Sequence, residues 1–101
     1  MGFEFEWDPK KAEENLKRHR VAFDEAVTVF ADPLARIFDD PDHSTDEMRE
    51  MIVGHSEKQR LLLVSFTERA PKVRIIGARK TTKRERQDYE QSLKAKSQKP
   101  S

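Results

Sequence analysis

Val73-Arg74-Ile75-Ile76-Gly77-Ala78-Arg79-Lys80-Thr81-Thr82-Lys83-Arg84-Glu85 carries a β-forming run directly into the start of a helix. Val73, Ile75 and Ile76 are strand formers without helical period, and Gly77-Ala78 let another backbone come close. Thr82-x-x-Glu85 has capping-box spacing, so a helix begins there. Arg74, Arg79, Lys80, Lys83 and Arg84 crowd the junction beside the positive end of a helix dipole. That makes it a ready anion site.

Working outward, the charge of the chain is unevenly spread. Residues 1–68 carry nine Lys/Arg against sixteen Asp/Glu, and residues 69–101 carry eleven against three. A basic C-terminal third on an acidic body suits a polyanion partner. The same cations would also solubilise a terminal helix, and the acidic part could equally take a basic protein. With 101 residues, 35% of them apolar, the chain is expected to form one domain over 1–96 with a disordered tail over 97–101. No apolar run approaches membrane length, and the first residues lack the build of a signal peptide. Cytoplasmic location is the expectation. Without cysteine there is no disulfide and no thiolate zinc site.

Upstream, Phe3, Phe5 and Trp7 alternate with acidic residues as a strand does. Asp8-Pro9 caps and opens a helix that fails near Arg18–Arg20, with Arg20 where a glycine would serve better. Phe23, Ala26, Val27 and Phe30 form a short amphipathic helix. Leu34–Phe38 reads as a strand and residues 39–47 as a polar loop. Met48–Val53 and Arg60–Thr67 flank a hairpin turn, and a second turn at 69–72 leads to the opening stretch. The last helix, about residues 83–96, turns Tyr89 and Leu93 inward. The resulting order is β-α-α-β-β-β-β-α. The expected class is α+β, with an antiparallel sheet, N-terminal helices, a C-terminal helix, and the helices gathered on one face.

No Ser-centred elbow, Walker loop or dinucleotide fingerprint is present. His19, His43 and His55 lack metal-ligand spacing, and Asp39, Asp40, Asp42, Asp46 and Glu47 do not match a calcium loop. No metal or other cofactor is expected. What remains is an arginine set, Arg49, Arg69, Arg74 and Arg79, suited to bidentate phosphate contact and transition-state charge. His19 could exchange a proton with a ribose 2′-hydroxyl near neutral pH, and Tyr89 could supply a hydroxyl. Each also has a plain structural reading: Arg74 paired across the sheet, Tyr89 in the core, His19 closing the first helix.

Phe5-Glu6-Trp7-Asp8, Asn15-Leu16-Lys17-Arg18-His19, Phe23-Asp24-Glu25-Ala26 and Val29-Phe30-Ala31-Asp32-Pro33 together resemble the BrnT toxins. The likeness continues through Asp40-Pro41-Asp42-His43, Ile52-Val53-Gly54, Ser65-Phe66-Thr67-Glu68-Arg69, Arg74-Ile75-Ile76-Gly77-Ala78-Arg79 and Tyr89, covering roughly residues 3–90. The resemblance implies a RelE-like fold and a metal-independent endoribonuclease that arrests growth, with the RNA 2′-hydroxyl as nucleophile. It further implies a type II toxin–antitoxin pair, in which a BrnA-like ribbon-helix-helix antitoxin neutralises the toxin. The complex, as a heterotetramer, would reach operator DNA only through the antitoxin. Carried onto this chain, the family's recurrent positions fall on Lys17, His19, Arg49, Arg69, Arg74, Arg79 and Tyr89. Arg49, Arg69 and Arg79 would hold phosphate, and His19 or Tyr89 would move the proton. Lys17, Arg74, Lys80, Lys83 and Arg84 would bind RNA. The alternative is a non-catalytic module that binds antitoxin or nucleic acid. Two positions depart from the family pattern: Arg20 stands for the usual glycine, and Gly77 for the usual serine.

Overall fold

The computed structural model describes residues 4–39 and 49–97, with side chains as far as residue 94. Phe3, the acidic loop around His43, Met48 and the tail beyond residue 97 lie outside these residues. The elements are β1 (Glu4–Glu6), α1 (Pro9–His19), α2 (Phe23–Thr28), a 3-10 turn (Val29–Ala31), β2 (Arg36–Asp39), β3 (Glu50–His55), β4 (Leu61–Arg69), β5 (Lys72–Lys80) and α3 (Lys83–Ser97). Class and element order are as expected. No described helix is long and apolar enough to cross a membrane.

The five strands lie in the order β1-β5-β4-β3-β2. The pairs from β2 to β5 are antiparallel, with short turns joining β3 to β4 and β4 to β5. β1 departs from the antiparallel expectation, because it joins β5 in parallel, Phe5 opposite Val73. Two helices separate β1 from the rest, and that long crossover is what a parallel pairing needs. The sheet is therefore mixed.

The helices also divide between two faces rather than gathering on one. Val21, Phe23, Ala26 and Val29 bury against Ile52, Leu62, Val64, Phe66 and Ile75. Val53, Leu61 and Leu63, on the opposite side of the pleat, bury against Tyr89 of α3, with Met51 and Leu93 at the margin. The unbroken run Leu61-Leu62-Leu63-Val64 explains this arrangement, since a strand covered on both faces has no reason to alternate. The first core is closed by an aromatic seam in which Phe30 meets both Phe5 and Phe66 at ring-centroid distances of 5.1 and 5.0 Å. α2 ends earlier than its apolar pattern suggested. The chain tightens into the 3-10 turn, where a three-residue period aligns Phe23, Ala26 and Val29 inward.

Local caps follow the chemistry of their residues. Asp8 accepts a hydrogen bond from the Lys10 backbone N–H at 2.9 Å, with Pro9 at the first helical position. Arg20 adopts the left-handed conformation, φ 61°, and its N–H donates to the Leu16 carbonyl. Gly54 permits a close crossing: a Cβ there would lie 2.8 Å from Ala35 Cβ and 3.0 Å from an Asp32 oxygen.

Candidate functional site

In β5, Val73, Ile75 and Ala78 belong to the α1/α2 core. Residues 74 and 79, an odd number apart, would ordinarily point to opposite faces. Ser65 pairs with Gly77 while Phe66 pairs with Ile75, so Ile76 is an extra residue, a β-bulge that shifts the alternation by one. Arg74 lies opposite Thr67, and Arg79 opposite Leu63. Both therefore share the α3 face. Arg69 continues the alternation of Leu63 and Thr67, and Arg49 that of Val53 and Met51. All four arginines thus belong to one face, but not to one point. Arg69 and Arg79 sit at opposite ends, separated by six residues of β4 in register, about 20 Å at an extended rise. The outer two are therefore too far apart along the sheet to contact one phosphate together.

Their partners differ. Arg79 donates two parallel hydrogen bonds of 2.9 Å to Glu85, and the Thr82 backbone N–H donates to the same carboxylate at 2.8 Å. The Arg79 guanidinium, aided by Thr82, holds the Glu85 carboxyl down at about 2. Arg79 is thus committed to anchoring the first turn of α3, where the sequence suggested a phosphate contact. Arg74 lies 3.5 Å from Glu6 of β1, the cross-sheet pairing that was its plainer reading. Arg49 is exposed and enters no ion pair among the described residues. Lys80, Lys83 and Arg84 are exposed around the α3 N-terminus.

Tyr89 is core. It is only 5% exposed, and its hydroxyl is buried without a hydrogen-bond partner among the described residues. Burial raises its pKa, and the nearby Asp32 charge adds to the effect without a well-directed hydrogen bond. The hydroxyl is shut away from solvent, the core position that was the plainer reading of this residue. His19 and Lys17 stand on α1, lining a depression with Ile76, on the other side of the sheet from the arginines. Asn15 explains how α1 is held there: its amide donates to the Ala78 carbonyl at 2.8 Å and accepts from the Ala78 N–H at 3.1 Å. It completes the β5 edge beyond the end of β1.

His55 ends β3 instead of lying in a loop. Its backbone N–H donates to Asp32 Oδ2 at 2.7 Å, its Nδ1 is 3.8 Å from that oxygen, and its ring meets Tyr89 edge-on at 5.7 Å. The imidazole is 40% exposed on the α3 face. Extending the alternation Met51, Val53 by one more step was the signal that could have found it. Between α3 and β2–β3 lies a pocket of about 300 Å³ with Met51, Val53 and Leu63 as its floor. Phe38 and Tyr89 wall it, and Arg36, Glu85 and Asp88 stand at its rim. Among the described residues no group of three His, Asp or Glu side chains is placed to hold a metal ion.

Residues 7–85 match the family described as "Ribonuclease toxin, BrnT, of type II toxin-antitoxin system". The chain belongs to the BrnT ribonuclease toxin family. The crystal structure of the Brucella abortus ribonuclease toxin BrnT superposes with a TM-score of 0.62 at 18% identity, covering 81% of this chain and 100% of that one. At that identity the likeness establishes the fold. No curated protein matches the chain. As a BrnT family member the chain is a type II toxin with an antitoxin as its counterpart.

Proposed function

We propose that this BrnT-family protein is a metal-independent endoribonuclease that cleaves cytoplasmic RNA and so arrests growth. A BrnA-like ribbon-helix-helix antitoxin silences it in a heterotetramer that represses its own operon. The single observation that supports the enzymatic reading is the bulge at Ile76, which turns Arg74 and Arg79 to one sheet face, the face that the alternation of β4 gives Arg69. An RNA strand following that face passes Arg69 and Arg49 and reaches Arg36 and His55 beside α3. Arginines along such a path bind successive phosphates and stabilise the charge of the pentacoordinate transition state. The ribose 2′-hydroxyl attacks the adjacent phosphorus and gives its proton to a base. The 5′-oxygen leaves with a proton from water or the same imidazole, yielding a 2′,3′-cyclic phosphate and a 5′-hydroxyl. His55 is the base this geometry favours, as it is exposed on the arginine face while His19 is across the sheet.

The test is cleavage of RNA by the isolated protein in excess EDTA, beside His55→Ala, His19→Ala and Arg49→Ala. Loss of at least about 100-fold in His55→Ala with a smaller change in His19→Ala is the expected result. The reverse order would return the base to α1. Co-expression with an adjacent ribbon-helix-helix gene should relieve growth arrest.

The non-catalytic module has one specific observation in its favour. Arg79 and Tyr89, two of the five side chains that the family resemblance offers for catalysis, are held by Glu85 and by burial in the core. Binding of RNA without cleavage would support it.

A further inference from the structure

We infer that the pocket between α3 and β2–β3 is a nucleobase subsite selective for guanine, an inference that rests on the ribonucleolytic reading above. Its floor of Met51, Val53 and Leu63 is apolar, and about 300 Å³ is room enough for a planar base. Phe38, opposite Met51 on β2, is 43% exposed although it borders this pocket. An exposed aromatic ring beside an apolar slot, on a face lined with arginine, is the arrangement by which proteins stack unpaired RNA bases.

The backbone position follows from the strand register. Arg36 is opposite Val53, while Arg49 lies four residues before Val53, so the two stand about 13 Å apart along the sheet with Phe38 between them. Both are exposed, and neither is in an ion pair among the described residues. A nucleotide with its base over Met51 and Val53 presents one flanking phosphate to each guanidinium arm.

Base choice follows from the rim. The Glu85 carboxylate is taken by Arg79, and the Ser92 hydroxyl donates to the Tyr89 carbonyl. Asp88 is the rim carboxylate that enters no ion pair among the described residues. An ionised carboxylate only accepts hydrogen bonds. Guanine alone offers two adjacent donors, N1–H and the N2 amine, to its two oxygens. Adenine and cytosine offer one amine beside an acceptor, which a carboxylate repels.

The experiment uses the whole chain with methyl-labelled side chains, titrated separately with guanosine, adenosine, cytidine and uridine 5′-monophosphates. Expected are shifts at Met51, Val53 and Leu63, with guanosine monophosphate bound at least about ten-fold more tightly than the others. Phe38→Ala should weaken all four by about ten-fold, since stacking ignores base identity. Asp88→Asn should remove the guanine preference while keeping the shifts. Both side chains are at the surface, and an unchanged Tm checks that the variants fold. Equal affinities, shifts confined to other methyls, or a preference untouched in Asp88→Asn would overturn the subsite. So would pocket shifts produced by the antitoxin but by no nucleotide. RNA cleavage is read separately on oligonucleotides differing at one base. Cleavage without pocket shifts sinks the subsite alone, and guanosine-specific shifts without cleavage sink the ribonuclease reading alone.

Discussion

Arg79 and Glu85 form a two-bond ion pair, 2.9 Å in each limb, that joins the end of β5 to the first turn of α3. The same carboxylate closes the capping box with Thr82, so one side chain ends the sheet–helix junction twice over.

Arg79→Ala is therefore expected to cost about 1–2 kcal/mol of stability, measured by urea denaturation. Arg79→Lys should recover less than half, because an ammonium cannot make two parallel bonds. The Glu85 carboxyl is depressed to about 2 from 4.5, so its contribution is complete above the unfolded value and lost as pH falls toward 2. The variant should lose less Tm than the wild type over that acid range. Identical acid limbs would contradict the pairing.

Glu25, 3% exposed, accepts from Arg60 through both carboxylate oxygens and from the Ser56 hydroxyl at 2.6 Å. Arg60 also donates to the Arg20 carbonyl at 3.0 Å, linking the β3–β4 turn to both N-terminal helices. Arg60→Ala strands a buried carboxylate and should destabilise by about 3 kcal/mol in chemical denaturation. Glu25→Gln should cost less, as the amide can still serve Ser56.

Gly77→Ser is expected to fold without penalty, for a Cβ there meets only Asn15 Oδ1, at 3.8 Å. The hydroxyl would lie beside the amide that clasps Ala78. We expect stronger growth arrest from the variant at equal expression. An unchanged arrest phenotype would count against any functional part for the serine usual at this position.

Arg20 holds a left-handed backbone that favours glycine, and its contact with Arg60 runs through the carbonyl alone. Arg20→Gly should keep that bond and raise stability by about 1 kcal/mol, read as a Tm increase of several degrees. A fall in Tm would mean that the arginine side chain contributes to stability.

Much of this was legible one stretch at a time. Asp8-Pro9 and Thr82-x-x-Glu85 announced the starts of α1 and α3, and both caps form with the expected partners. Arg20 stood out as a poor helix end and is one of two non-glycine residues with positive φ among the described residues. The family motifs, read over roughly residues 3–90 and matched over 7–85, were readable because spacing along the chain is all they require. The candidate site was less so. Arg79 looked like a phosphate ligand until Glu85 took both of its edges, and Tyr89 looked reactive until α3 buried it. Phe38 and Arg36 carried no signal by themselves, and His55 carried only the alternation of β3, since a neighbouring strand or helix decides what each one borders.

The sequence by itself determined the elements, their order, the caps and the family, because periodicity and capping act within a few residues. Only the tertiary structure decided that β1 runs parallel, that α3 covers the second face, and that one bulged residue turns Arg74 and Arg79 to the same side. Register and face are settled by pairing between strands far apart in the chain, and a single unpaired residue reverses every side chain beyond it.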